Sequence, residues 1–235
     1  MEQSGGRGKE FPSKIYLWTG LIFMASEVWK QLCLTFQLHG GQYQWPFFSF
    51  QLCDTPVYVC IVIGICKNRR LREALVTFLA DYCLLAGIMA FLDTSGFREY
   101  GYLPLILHSY LWHIAMILLG LFSGVLLIRM KEKTGFGNWA EATLVYLVFC
   151  GVAEILNLTL CKFGPINMFY ISPRYVMHQI VFRDLVPVLG NNGTIVFYIL
   201  MTVFGSFLVH ILWITAGKWL VRKLSGTGPE PDEKL

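Results

Sequence analysis

A small set of side chains in this 235-residue chain could perform acid–base or nucleophilic chemistry from within strongly apolar surroundings. An ionisable group in a membrane span is costly to bury, so each one is a candidate for function. A cysteine is a nucleophile only as its thiolate, and a neighbouring histidine can supply the base that removes the thiol proton. The candidate residues are Glu27, Lys30, Asp54, Asp81, His108, His113, Glu154 and His210, together with Cys53.

The spacing of Cys53 and His113 best fits a nucleophile and its base. Cys53 follows Trp45 by eight residues, roughly 12 Å along a helix, and His113 follows Leu103 by ten residues, roughly 15 Å. If both segments are helices that begin at the same membrane face, the thiol and the imidazole lie at similar depth. His108 is about 140° around the helix from His113, so the two rings cannot both face Cys53. Depth favours His113 as the base.

Other interpretations of these residues stay open at this point. Cys53 could be a small packing residue, and His113 could be hydrogen bonded to a neighbouring helix. Glu27 and Lys30 are three residues apart on one helical face, which predicts an ion pair directed into a helical bundle. Asp54 lies about 100° from Cys53 on a helix, so we expect it to contact a different helix.

The composition indicates that helices in a membrane must position these residues. Apolar residues make up 55% of the chain and charged residues 14%, against about 25% charged in a typical soluble protein. Six apolar stretches are long enough, or nearly so, for the roughly 20 residues that cross a hydrocarbon core. Backbone groups in lipid must be satisfied within the segment, so we predict an all-α, polytopic bundle of six transmembrane helices. The stretches are 14–36, 45–66, 73–92, 103–128, 139–160 and 195–221.

The basic residues predict the orientation of this bundle. Apart from Lys30, which lies within the first span, the Lys and Arg residues divide 14 against 4 between the two sides of the predicted topology. Cytoplasmic segments carry the excess of basic residues, so both termini are predicted to be cytoplasmic. Six spans also require both termini to lie on one side. The loops at 37–44, 93–102 and 161–194 are then outside.

The chain is predicted to form one membrane domain between two tails. The domain covers 14–224, after a cytoplasmic tail at 1–13 and before a Gly/Pro/acid-rich, disordered tail at 225–235. The loop 161–194 is long and apolar, which predicts a re-entrant or interfacial segment over the outer mouth of the bundle. The seven cysteines include no CxxC pair, so we expect neither a zinc site nor a disulfide framework.

Several short motifs resemble one family of integral membrane proteins. Residues 45–54, WPFFSFQLCD, resemble the LPLHLC motif that opens the second helix of the YwaF-like family, although Gln51 stands where that family has a histidine. The segments EVWK at 27–30, LPLILHSYLWH at 103–113 and NMFYISP at 167–173 resemble further family elements, the last its Asn-x-x-Tyr element. The resemblance extends over residues 14–221.

This resemblance implies lipid chemistry. Animal relatives of the family include an acyltransferase that uses a cysteine and a histidine to move a fatty acyl chain onto an ether lysophospholipid. The six-helix arrangement is also similar to that of lipid hydrolases with a Thr–His pair. By motif position, Cys53 corresponds to the nucleophile, His113 to the base and His108 to an alternative base. The resemblance also implies a multi-pass protein of the bacterial cell membrane.

The residues and the resemblance together predict an intramembrane enzyme of lipid metabolism. It would transfer an acyl group, or hydrolyse an ester, through a thioester on Cys53. Its partner would be a membrane phospholipid or lysophospholipid as substrate, and we expect no cofactor, no metal ion and no nucleic acid. The candidate residues for holding the headgroup or the developing oxyanion are Asp54, Asp81, Glu154, Asn157, Asn167 and Tyr170.

Two alternatives belong to other functional classes. The first is a small transporter or a structural or sensory protein, in which the buried charges form a polar pathway through the membrane. The second is a metal-dependent hydrolase that would use His108, His113, His210 and Asp81, although these lack the spacing of a ligand pair on one helix face.

Overall fold

The computed structural model describes residues 11–129, 135–217, 219–220 and 223 of the chain. Within these residues the regular structure is entirely helical, with no β-strand, so the predicted all-α class is confirmed for this part of the chain. The predicted tail 225–235 and most of the tail 1–13 lie outside the described residues.

In the described part of the chain the helices form six rods that alternate in direction, as the antiparallel contacts of Gly64 with Leu17 and of Gly120 with Leu84 illustrate. The first three rods are α1 (Ser13–Leu32) with the π-helical turn Cys33–Leu38, α2 (Thr55–Ile65), and α3 (Arg69–Phe78) joined through the π-helical turn Leu79–Cys83 to α4 (Leu84–Ala90). The short α5 (Ser95–Arg98) lies in a connection, and the last three rods are α6 (Leu103–Arg129), α7 (Phe136–Leu160), and α8 (Val186–Leu212) with the turn Trp213–Gly217.

Four of these rods are long and apolar enough to cross a membrane. They are Arg69–Ala90, Leu103–Arg129, Phe136–Leu160 and Arg183–Gly217. The first rod, which carries Glu27 and Lys30, and the short α2 are not among the four. The connections 39–54, 91–102 and 161–185 lie at one end of the bundle, which we call the loop end. The opposite end, which we call the basic end, carries the connection 66–68 and the start of α7.

The predicted second helix, 45–66, is wrong over its first half. Residues Trp45–Phe47 form a single 3₁₀ turn, residues 48–54 are not helical, and α2 begins only at Thr55. Pro56 explains this start, because a proline has no backbone N–H and is tolerated only in the first turn of a helix. Just before this proline, the Thr55 hydroxyl donates a hydrogen bond to the Leu52 carbonyl, at 2.7 Å.

The last rod also begins elsewhere than predicted. Its helix starts at Val186, within the predicted loop 161–194, and is interrupted at Gly190, where φ is 68°. A positive φ is a conformation that glycine adopts without steric cost, so Gly190 allows the chain to change direction there. The outer loop between α7 and α8, residues 161–185, is therefore shorter than predicted, and it contains the 3₁₀ turns Met168–Tyr170 and Arg183–Leu185.

Glycines bring the first two rods into close contact. A Cβ built on Gly64 would lie 2.6 Å from the Leu17 Cβ, and one on Gly20 would lie 2.9 Å from the Ile61 backbone nitrogen. Small residues permit such close approach of helix backbones in membranes. Ile61 and Gly64 lie in the second half of α2, so this close contact holds α2 against α1 toward the basic end.

Candidate functional site

Cys53 lies in an irregular segment rather than on a helix. We call residues 48–54 the Cys53 segment, and it enters the bundle at the loop end just before α2. The depth predicted for Cys53 from a rise of about 1.5 Å per residue does not apply, because that rise belongs to a helix. The side chain of Cys53 is half-buried and packs against the hydrophobic core.

Side chains from the helices satisfy the backbone of this segment. The Trp112 Nε1 donates to the Cys53 carbonyl at 3.0 Å, and the Tyr58 hydroxyl donates to the Ser49 carbonyl at 2.6 Å. The Gln31 Nε2 donates to the Phe47 carbonyl at 2.7 Å. Buried backbone groups outside helices need such partners, so these bonds explain how the chain keeps a non-helical stretch inside a helical bundle.

The sulfur of Cys53 is directed toward the residue that follows it. It lies 3.9 Å from the Asp54 Oδ1, while the Asp54 Oδ2 accepts a hydrogen bond from the Gln51 N–H at 2.7 Å. The segment is not helical and the Asp54 carboxylate caps its own turn, but Asp54 also interacts electrostatically with Lys30 on a different helix, α1. Within the described residues no hydrogen bond joins the Cys53 sulfur to a histidine.

His113 is buried on α6, one residue after the tryptophan that holds Cys53. Its Nδ1 lies 2.8 Å from the Ser109 carbonyl, and its ring stacks on Phe97 with centroids 4.6 Å apart. A carbonyl oxygen only accepts, so Nδ1 must carry the proton. In the neutral ring Nε2 is then the unprotonated nitrogen, which is the atom a general base uses.

His108 occupies a different environment, nearer the loop end of α6. Its Nε2 lies 2.8 Å from the Ser26 hydroxyl on α1, and its ring lies between Trp29 and Trp112. A serine hydroxyl both donates and accepts, so this contact does not fix the tautomer of the ring.

The spacing of Glu27 and Lys30 predicts an ion pair, and the structure contains it. The Lys30 Nζ lies 2.8 Å from the Glu27 Oε2, and the residues are 8% and 5% exposed. The Glu27 Oε1 also accepts hydrogen bonds from Gln31, at 2.9 Å, and from the Ser49 hydroxyl. The pair therefore extends into a polar network that ties α1 to the Cys53 segment.

Residues 167–172 of the outer loop fold against the same segment. The two polar atoms of the Asn157 side chain bond to the backbone N–H and carbonyl of Met168, at 2.6 and 3.2 Å. The Asn167 Oδ1 accepts from the Ser172 N–H at 3.0 Å. These bonds occupy Asn157 and the acceptor of Asn167 in holding the loop. Tyr170 packs edge-on against His178, with ring centroids 5.1 Å apart.

The remaining candidates are bonded to residues outside the Cys53 segment. Asp81 and His210 form a buried pair, with the Oδ2 to Nδ1 distance at 2.9 Å, and the His210 Nε2 lies 3.3 Å from the Gly135 carbonyl at the basic end. Glu154 is half-buried and contacts Asn157 at 3.4 Å. No three His, Cys, Asp or Glu side chains in the described ranges are grouped to hold a metal ion.

The sequence reasoning missed Gln51, Ser49, Gln31 and Trp112. Gln51 stood out only as the replacement of a family histidine, yet its side chain contacts the outer loop at two positions. Gln31 lies four residues after Glu27, a spacing that predicts a contact on one helix face. No spacing rule links Trp112 to Cys53, because the bond depends on how two rods pack.

No family model, curated protein or solved structure matches this chain at a significant level.

Proposed function

We propose that this chain is a multi-pass integral protein of the bacterial cell membrane, with six crossings and both termini in the cytoplasm. Four helices that are long and apolar enough to span a bilayer support this proposal, as does the division of basic residues, 14 against 4. The alternating direction of the six rods agrees with it. The charges of Glu27 and Lys30 on α1 are paired and buried, as a membrane environment requires.

The irregular half of the second rod is compatible with membrane depth. Non-helical backbone is tolerated in a membrane where it is buried in protein or lines a cavity. Bonds from Trp112, Tyr58 and Gln31 satisfy backbone groups around the Cys53 segment. The resemblance to the YwaF-like family, carried by residues 45–54 and 103–113, supports the same assignment.

Within this membrane domain we propose that Cys53 is the nucleophile of a lipid-acting enzyme. A base takes the proton of the thiol, and the thiolate attacks the ester carbonyl carbon of a phospholipid. The bond from that carbon to the ester oxygen breaks, and the lysolipid leaves with a proton returned by the base. The hydroxyl of a second lysolipid, or a water molecule, then attacks the thioester and releases the thiol.

The interruption of the second rod at Cys53 is the observation that carries this proposal. In a continuous helix the N–H of this residue would bond to a carbonyl four residues earlier. Within the described residues the Cys53 N–H donates to no backbone carbonyl. It can therefore donate to the oxyanion that forms when its own sulfur attacks a carbonyl carbon.

His113 is the proposed base. The Ser109 carbonyl fixes the proton on Nδ1 and leaves Nε2 to accept one. Trp112 holds the Cys53 carbonyl, so this turn of α6 lies beside the Cys53 segment. Catalytic hydrogen bonds are often long before substrate binds, and the reaction requires the thiol and the ring to approach in the complex. His108 is the second candidate.

A labelling experiment tests the proposed chemistry. Purified protein is incubated with an alkynyl acyl phospholipid, and the hydroxylamine-sensitive adduct is located by mass spectrometry. We expect label on Cys53, none in Cys53→Ser, and a loss of roughly 100-fold or more in rate in His113→Gln, the usual effect of removing a general base. Cys161→Ser is the matched control, because Cys161 is also half-buried and lies near the loop end.

A transporter or sensory protein is the alternative, and the buried charges of Glu27 and Lys30 favour it. In the described residues these charges are not hydrogen bonded to the Asp81–His210 pair. If Cys53 acquires no acyl label, or if the label is as strong in both His113→Gln and His108→Gln as in Cys161→Ser, the enzymatic proposal fails and this alternative replaces it.

A further inference from the structure

The outer loop forms a tight turn over the Cys53 segment. We call residues 167–170 the outer turn. Phe169 and Tyr170 have φ angles of 56° and 58°, in the left-handed region that residues with a Cβ rarely adopt. Met168 is fully buried and Phe169 is 2% exposed, so the turn is packed into the bundle rather than lying on its surface. Consecutive left-handed residues without glycine persist only where their surroundings hold them.

Two side-chain amides hold the outer turn from opposite sides. The Gln51 Nε2 donates to the Asn167 carbonyl at 3.0 Å, and the Gln51 Oε1 accepts from the Phe169 N–H at 2.7 Å. Asn157, on α7, bonds in the same two-point manner to the intervening residue, Met168, at 2.6 and 3.2 Å. Three successive residues of the turn are thus bonded through their backbone groups to one glutamine and one asparagine.

The position of Gln51 connects this clamp to the candidate nucleophile. Gln51 lies two residues before Cys53, and its N–H is bonded to the carboxylate of Asp54, which the Cys53 sulfur faces. If the outer turn moves, either the Cys53 segment moves with it or the Gln51 hydrogen bonds break. The Asn157 bonds attach the same turn to the long helix α7. The turn therefore cannot move without breaking bonds to α7 or to Gln51.

We propose that Gln51 and Asn157 are positioning residues that clamp the strained outer turn over Cys53 and so control how reagents and substrate reach the thiol. This inference rests on the proposed role of Cys53, but its test requires no turnover. The turn is closed when these hydrogen bonds are formed and open when they are broken. Loss of one hydrogen bond should raise the ratio of open to closed molecules by roughly threefold to tenfold, which corresponds to the usual net contribution of such a bond. Loss of both Gln51 bonds should then raise the ratio of open to closed molecules by roughly tenfold or more.

The test measures alkylation of Cys53 by a maleimide in the full-length protein in detergent. The other half-buried cysteines are replaced in the background Cys66→Ser/Cys161→Ser, and mass spectrometry follows each remaining site separately. We expect Gln51→Ala to accelerate labelling of Cys53 at least tenfold. Gln51→Glu should give an intermediate rate, because it keeps the acceptor for Phe169 and loses the donor to Asn167. Asn157→Ala should act in the same direction.

Two controls separate the clamp from a general loss of structure. Gln44→Ala is the matched variant, because Gln44 lies at the same end and its amide bonds, among the described residues, only to the nearby Gln42 carbonyl. Cys60 is 0% exposed on α2 and serves as an internal reporter of unfolding. The proposal is overturned if Gln51→Ala leaves the rate at Cys53 unchanged, or if Cys53 and Cys60 accelerate together. Absence of acyl label at Cys53 in the lipid experiment would instead count against the enzymatic role alone.

Discussion

Replacement of Gly64 by alanine tests the close packing of α1 on α2. The new Cβ would lie 2.6 Å from the Leu17 Cβ and 2.9 Å from the Leu17 Cα. Carbon atoms pack best at about 3.5–4.0 Å, so the helices would have to separate by roughly 1 Å. The backbone atom of Leu17 cannot rotate away as the end of a flexible side chain could. The overlap can therefore be relieved only if one of the two helices moves as a whole.

The expected cost follows from two opposing effects. Overpacking a tight contact costs about 1–3 kcal/mol. Alanine in place of glycine favours a helix by up to about 1 kcal/mol. We expect Gly64→Ala to lower the free energy of unfolding by about 1–2 kcal/mol, measured by reversible unfolding in mixed micelles with increasing SDS and followed by circular dichroism.

Gly151→Ala is the matched control for this experiment. Gly151 lies within α7, is exposed, and has no atom within 4 Å of a Cβ built on it. Only the helix propensity changes there, so this variant should gain about 0.5–1 kcal/mol. If Gly64→Ala proves as stable as Gly151→Ala, the two helices are not packed at the observed distance and the reasoning is refuted.

Further predictions concern the buried pair, the loop backbone and the topology. Asp81→Leu should cost about 1–3 kcal/mol in the same unfolding assay, because it leaves the buried His210 Nδ1 without its hydrogen-bond acceptor; a cost below about 0.5 kcal/mol would contradict this. Val181 has φ at 72° and is 65% exposed, so Val181→Gly should stabilise by about 0.5–1 kcal/mol whereas Val176→Gly should not. Arg98→Cys should react with an impermeant maleimide on intact cells, and reaction only after lysis would place this loop inside.

The positions of most helices could be predicted from the sequence because they depend on local apolar runs. Leu103–Arg129 differs from the prediction 103–128 by one residue. The ion pair of Glu27 and Lys30 was likewise predictable, because residues three apart share a helix face. In these cases the neighbouring sequence alone determines the outcome.

The second rod shows where this reasoning stops. Residues 45–54 are apolar enough to be predicted as helix, but the proline at 56 ends the helix on its N-terminal side and contacts from other rods stabilise the irregular chain. Trp112 is 59 residues from Cys53, and Phe169 is 118 residues from Gln51. Such bonds depend on the packing of distant segments, which a single sequence does not specify.

The short length of α2 has a consequence for membrane insertion in the proposed topology. Its 11 residues extend only about 16 Å at 1.5 Å per residue, about half of the roughly 30 Å of hydrocarbon. The preceding rod carries Glu27 and Lys30, each of which opposes partition of an isolated helix into lipid. In the proposed six-crossing topology we therefore expect the two segments to insert together, as a hairpin held by the close contacts of Gly20 with Ile61 and of Gly64 with Leu17.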